Sequence, residues 1–311
     1  MPLDPSAMNK ARALLALPTE KLLEQATSLR EEAFGKQIVL CAIINARSGN
    51  CSMNCAFCAQ SSANHTPIAS FPLLPREILK ERILALAELP VSHIGIVTSG
   101  AALSTSELKT VTELFASLPQ ALQARLCTSF GRLKAEALAK LRQAGITRFH
   151  HNLETSERYY PRICTSQAWQ DRLRTVQAAR RAGFVNCTGG LFGMGESWDD
   201  RIALALTLKE EKIRQVPINF LHPHPATPLA RQKPLDAEEA LRIIALFRHI
   251  LPQATLRVCG GRPITLGPMQ EMIFAAGANG LMVGDYLTTQ GQACKDDLAM
   301  LDKLGLHHAM G

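Results

Sequence analysis

The chain has 311 residues, 47 % hydrophobic and 20 % charged, which supplies apolar material for a sizeable core and excludes a disordered chain. No uninterrupted apolar stretch reaches membrane-spanning length and Met1-Pro-Leu-Asp-Pro-Ser lacks a basic segment followed by an apolar one, so a cytoplasmic protein without a membrane partner is expected. The net charge of +7 is interleaved with acidic neighbours, as in Lys209-Glu-Glu-Lys-Ile-Arg214, which reads as a solvated surface and not as a nucleic-acid footprint.

From about Ala11 to Glu32 the apolar residues recur at helical spacing, with Pro18-Thr-Glu as a second helix start; residues 1–35 therefore read as a helical extension. From Ile38 onward short β-rich runs alternate with amphipathic stretches. The strands are predicted at 37–46, 93–98, 124–128, 147–152, 184–188, 215–220, 254–259 and 280–284. Helices are predicted between them at 77–89, 105–117, 133–144, 167–182, 199–211, 236–250 and 268–277, with Gly145 and Gly183 where helices should end. A closing helix follows within 291–306. Strict alternation implies parallel strands, and eight repeats favour closure into a (β/α)8 TIM-type barrel, which commonly takes about 250 residues, over a doubly wound open sheet. Residues 36–311 are assigned to that barrel.

Three of the nine cysteines lie close together, Cys51-Ser-Met-Asn-Cys55-Ala-Phe-Cys58, in the loop after the first predicted strand. Active sites of such barrels sit at the C-terminal ends of strands. Three thiolates can hold three irons of a 4Fe–4S cube and leave the fourth open to a ligand that is not protein. A structural zinc site needs a fourth ligand, and His65 is the nearest histidine, seven residues beyond Cys58. The other six cysteines are scattered singles, unlike the paired framework of a small secreted domain.

The C-x3-C-x2-C spacing with aromatic Phe57 before the last cysteine resembles the signature of the radical S-adenosylmethionine enzymes. The wider context, Asn45-Ala-Arg-Ser-Gly-Asn-Cys51 through Cys58-Ala-Gln-Ser61, resembles the biotin synthases within them. The resemblance runs from about Leu14 to Leu306. It implies a 4Fe–4S cluster on Cys51, Cys55 and Cys58, with S-adenosylmethionine on the open iron cleaved to a 5'-deoxyadenosyl radical. It also implies sulfur insertion into dethiobiotin, an electron donor such as flavodoxin or ferredoxin, iron–sulfur assembly machinery as a partner, and a homodimer. Hydrogenase maturases and methylornithine synthases share the barrel but lack the combination of Cys127, Cys187 and Asn219.

Cys41, Cys127, Cys187 and Cys259 fall on the first, third, fifth and seventh predicted strands. Alternate barrel strands feed the same interior layers, so these thiols can converge on a second cluster; buried cysteine as a small hydrophobe is the alternative. The family's auxiliary cluster is held by three cysteines and an arginine. Cys127, Cys187 and Arg257 match three of those positions, while the fourth reads Thr98 before Ser-Gly-Ala-Ala102. A threonine hydroxyl substitutes poorly for a thiolate, so the expected set is Cys41, Cys127, Cys187 and Cys259, with Arg257 close by, around a 2Fe–2S or larger cluster. Cys164 and Cys294 have no assigned role.

Asn152 and Glu154, in His150-His-Asn-Leu-Glu-Thr-Ser156, share one face at a strand end, where a carboxylate suits the two hydroxyls of a ribose. By resemblance they contact S-adenosylmethionine, Asn152 also contacting substrate, and Arg172 pairs with the cofactor carboxylate. Gly189 and Gly190 are expected to admit a ligand such as adenine close to the backbone. Asn219, in Val216-Pro-Ile-Asn-Phe-Leu, matches the family asparagine that binds the dethiobiotin urea, a group an amide can both donate to and accept from. His222 and His224, in the proline-rich loop beyond, are expected to face solvent.

Overall fold

A computed structural model describes residues 4–309 of the chain. Two helices come first, α1 (Pro5–Leu15), capped by the Asp4 carboxylate, and α2 (Thr19–Phe34), which starts after Pro18. Then follow β1 (Gln37–Arg47), α3 (Arg76–Ala87), β2 (His93–Thr98), α4 (Thr105–Ala116), α5 (Gln120–Arg125), β3 (Leu126–Ser129), α6 (Ala135–Gln143), β4 (Arg148–His150) and α7 (Trp169–Arg181). The second half runs β5 (Val185–Cys187), β6 (Gly190–Phe192), α8 (Trp198–Glu210), β7 (Gln215–Phe220), α9 (Ala237–Ile250), β8 (Thr255–Val258), α10 (Arg262–Leu266), α11 (Met272–Ala275), β9 (Gly280–Met282), α12 (Cys294–Lys303) and β10 (His307–His308).

All the pairings are parallel, in the order β1-β2-β3-β4-β5-β7-β8-β9, and β9 pairs back onto β1 through Val39↔Gly280 and Cys41↔Met282. That last pairing, invisible to periodicity, closes the (β/α)8 barrel. No helix among the described residues is long and apolar enough to cross a membrane.

Four expectations need correction. The fifth strand, predicted to end at 188, is realised as β5, but the chain breaks and continues beyond it as a second short strand, β6, and both pair with β7. The break falls at Thr188-Gly189, where a Cβ on Gly189 would lie 1.9 Å from the Pro217 carbonyl oxygen, so the chain can pass only as glycine. The helix predicted over 268–277 is reduced to α11, preceded by a 3-10 turn (Gly267–Met269) at Gly267-Pro268 that separates it from the short α10. The fourth strand and the closing helix are shorter than predicted, and α5 and β10 carried too few residues to register as periodic signals.

The strands obey a period of two that sorts chemistry from packing. Leu40, Ala42 and Ile44 of β1, Ile94 and Ile96 of β2, and Val216 and Ile218 of β7 are buried among the hydrophobic residues that pack the barrel against its helices. The alternate positions line one interior cavity: Cys41 and Ile43, His93 and Gly95, Cys127 and Ser129, Arg148 and His150, Gln215 and Asn219, Arg257 and Cys259. Barrels of this type are ordinarily filled by branched apolar layers. In this one the same level also presents thiol, imidazole and guanidinium side chains among the apolar ones.

Candidate active site

The cavity encloses about 370 Å³ and runs from the loop after β1, at Phe57 and Cys58, past Asn152, Glu154 and Asn219 to Cys41, Cys127, Cys187 and Cys259. Its mouth is built by the cysteine loop. Asn64 Nδ2 donates to the Cys55 and Cys58 carbonyls at 3.0 and 2.8 Å, Cys51 N–H donates to Gln60 O at 3.0 Å, and Ala56 N–H donates to Ile163 O at 2.8 Å. Backbone and amide bonds thus shape this loop and leave Cys51, Cys55 and Cys58 half-exposed. Among the described residues no three Cys, His, Asp or Glu side chains converge on a point that would hold a single metal ion. Ligands of a cube need no such point, because each binds a different iron. Burial pushes the Cys58 thiol up to about 11. Cys55 is raised as well, first by its hydrogen bond with Cys164 and then by burial.

The contact with Cys164 was not foreseen. Its Sγ lies 3.5 Å from Asn54 Oδ1 and 3.4 Å from Ser166 Oγ, and the hydrogen bond from Cys55 lowers its pKa to about 4. The loop before α7 is folded back onto the cysteine loop, a juxtaposition no local pattern encodes.

The middle of the cavity brings together the residues expected to meet cofactor and substrate. Glu154 adopts φ 69°, a left-handed backbone that is uncommon outside glycine, and is held there by Leu191 N–H donating to its carbonyl at 2.8 Å. Its carboxylate takes Arg172 Nη2 at 2.9 Å, while Arg172 Nε donates to Asn152 O at 2.6 Å. Burial opposes the Arg172 charge, yet Glu154 keeps its pKa raised. Arg172 is thus tied to Glu154 and does not itself line the cavity. Asn219 Nδ2 donates to Gly190 O and its Oδ1 accepts from Gly260 N–H, both at 3.1 Å, which leaves one N–H and one lone pair for the cavity.

Gly189 and Gly190 are absent from the lining; the close approach they permit is to the protein's own Pro217 and Glu154 carbonyls. His222 is exposed, as expected, and His224 is half-buried; both line the rim beside Pro223 and Pro225, and partial burial lowers His222 below the usual histidine range. Tyr286, Leu287, Thr288 and Thr289 after β9 complete the rim, positioned by Asn45 Nδ2 donating to Leu287 O at 2.8 Å. Sequence reading assigned them nothing, since they sit in a loop without periodicity.

At the bottom, Cys187 Sγ lies 3.5 Å from His150 Nδ1 and 3.7 Å from Arg257 Nη1. Hydrogen bonding with Cys187 and then burial raise the Cys127 thiol, and the same bond lowers Cys187. Burial works against the Arg257 cation, but Cys41, Cys187, Cys259 and Cys127 together keep its pKa raised. Thr98 lies outside this lining, with its hydroxyl 3.5 Å from Ser129 O.

Two family models match the chain, the Radical SAM superfamily over residues 46–208 and the Biotin and Thiamin Synthesis associated domain over 217–307. Together with the closed barrel and the cysteine loop at its mouth, they define a radical S-adenosylmethionine enzyme, a class that carries a 4Fe–4S cluster. The chain is 59 % identical over 303 residues to the biotin synthase of Desulfovibrio desulfuricans, covering 97 % of this chain and 96 % of that one. It is 43 % identical to the biotin synthase of Nitratidesulfovibrio vulgaris, over 96 % and 85 % of the two chains. The chain belongs to the biotin synthase family. A methylornithine synthase structure superposes with TM-score 0.83 at 20 % identity, covering 97 % of this chain and 94 % of that one, and so shares the fold. An FeFe-hydrogenase maturase from Carboxydothermus hydrogenoformans does so with TM-score 0.83 at 18 % identity, over 97 % and 76 %.

Proposed function

We propose that this chain inserts sulfur between two unactivated carbons of dethiobiotin, with the two centres of the reaction at opposite ends of its barrel cavity. The observation that carries the reading is the continuity of that cavity: one space is lined by Phe57 and Cys58 at the mouth, Asn152, Glu154 and Asn219 in the middle, and four cysteines at the bottom. Cys51, Cys55 and Cys58 would hold the 4Fe–4S cluster, and Cys41, Cys127, Cys187 and Cys259 an auxiliary cluster beside Arg257. The donor chemistry fits, since thiolates are the usual cluster ligands and the buried Nε of Arg257 has no hydrogen-bond partner. When bound, these groups supply the electron that cleaves S-adenosylmethionine and the sulfide that enters the product.

The protein's part is placement. Glu154 offers a carboxylate to ribose hydroxyls, Arg172 fixes that carboxylate from behind the cavity wall, and Phe57 gives an apolar wall. Asn219 presents its free N–H and lone pair to the substrate urea, and Asn152, braced by Gly189 N–H at 3.1 Å, stands beside it. The enclosure excludes water from a primary radical that would attack it, and holds three reactants in line. A flavodoxin- or ferredoxin-type donor, iron–sulfur assembly machinery and a second copy of the chain complete the proposed partners.

The test is anaerobic turnover of dethiobiotin with S-adenosylmethionine and reductant, biotin being read by mass spectrometry. Biotin formation is expected; cleavage of S-adenosylmethionine without biotin would overturn the reading. Iron and sulfide counts on Cys41→Ala and Cys259→Ala test the four-thiol set, and metal content unchanged from the wild type would refute it.

A further inference from the structure

Arg148 and Arg257 both line the lower cavity, whereas Glu154 is the only carboxylate lining it among the described residues and is already paired with Arg172. Arg257 finds Gln215 Oε1 at 3.3 Å and Cys187 Sγ at 3.7 Å. Arg148, on β4, stands in register with Cys127 of β3, and its Nε is buried without a hydrogen-bond partner. The ionisable groups acting on it are Cys127, Cys187 and Cys41, together with a second cation, Arg257. Burial accordingly lowers its pKa, while the thiols more than offset burial at Arg257. Arg148 as a whole is half-buried, but its Nε is a buried donor with no acceptor, a costly arrangement that an anion in the cavity would complete.

We propose that Arg148 is a positioning residue for the auxiliary centre: a second guanidinium, besides Arg257, that hydrogen-bonds its sulfur and offsets its negative charge. The inference rests on the four-thiol reading. Four thiolates around an oxidised iron–sulfur core leave a net charge near 2−, which two guanidiniums balance. Cations beside a cluster favour its reduced form and its retention, because hydrogen bonds and charge around the sulfur atoms set the potential.

The experiment compares wild type, Arg148→Met, Arg148→Lys and the surface control Arg181→Met, each reconstituted anaerobically as full-length protein. Three readouts are followed: iron and sulfide per chain, the midpoint potential of the auxiliary cluster, and the rate of iron loss to a chelator. Arg148→Met is expected to shift that midpoint to more negative values and to lose auxiliary iron about tenfold faster, with Arg148→Lys restoring most of both and Arg181→Met changing neither. In apo-protein Arg148→Met should melt at the same temperature or higher, since an unpartnered cation has been removed; a residue needed only for folding would lower it. A wild-type midpoint and chelation rate in Arg148→Met would overturn the proposal alone. Wild-type protein carrying iron for one cluster only would overturn the four-thiol reading and the proposal with it.

Discussion

Glu154 combines a left-handed backbone, a buried ion pair and a place in the cavity wall, so its carboxylate is held in a position that an unconstrained side chain would not keep. Glu154→Gln preserves the shape and removes the charge that both Arg172 and the ribose hydroxyls would use. A charge-assisted hydrogen bond contributes about 1.5–3 kcal/mol, so S-adenosylmethionine should bind about 10- to 100-fold more weakly, measured by calorimetry on cluster-loaded protein. Unchanged affinity would remove Glu154 from the cofactor site. His151, one position before Asn152, points the other way. Its ring packs against Phe149 at 6.3 Å between centroids, its Nε2 is buried without a partner, and burial, then Arg172, His150 and Arg132, hold its pKa well below the usual histidine range. Below pH about 6.5 the unfolded chain takes up a proton there that the native state refuses, so its stabilising contribution is complete above that pH and is lost as pH falls. His151→Phe should lose about 1 kcal/mol less stability than wild type between pH 7 and pH 5.5 in urea titrations of the apo-protein; parallel curves would contradict this.

At the scale of elements, the fifth strand decides how the site is assembled. Cys187 of β5 and Leu191 of β6 line the same cavity on either side of the break at Thr188-Gly189, and the bridge from Glu154 to Gly190 ties the loop after β4 to β6. Gly189→Ala would drive a methyl group to within 1.9 Å of the Pro217 oxygen, a backbone atom with no freedom to withdraw. We expect a loss of about 3 kcal/mol and a lower melting temperature in calorimetry, with weaker S-adenosylmethionine binding, because β7 carries Asn219 and Glu154 is bridged to Gly190 next to the substitution. Helix boundaries were read well from sequence where caps mark them, as at the Ser104/Glu107 and Ser197/Asp200 capping boxes that open α4 and α8. They failed at α10 and α11, where Gly260-Gly261, Pro263 and Gly267-Pro268 break the period faster than a helical turn can register.

Across the molecule, closure of the barrel depends on contacts distant in sequence. Arg248 of α9, fully buried, donates to Gly277 O at 2.8 Å, Pro252 O at 2.8 Å, Ala254 O at 2.9 Å and Asn279 Oδ1 at 2.7 Å, and so fastens the loops entering β8 and β9. Burial lowers its pKa to about 10, still a cation at neutral pH. Arg248→Met strands those acceptors in the interior and should cost about 3 kcal/mol or more, seen as a lower denaturant midpoint. The sequence by itself determined the alternation of eight strands with helices, the cysteine loop and the inward cysteines, because spacing along the chain is a local property and side-chain direction follows it with period two or 3.6. Only the tertiary structure decided that β9 meets β1, that Cys164 meets Cys55, and that Arg148 stands among thiols without a carboxylate. Each of those depends on which residues far apart in sequence share one enclosed space, and hydrophobic periodicity carries no information about that.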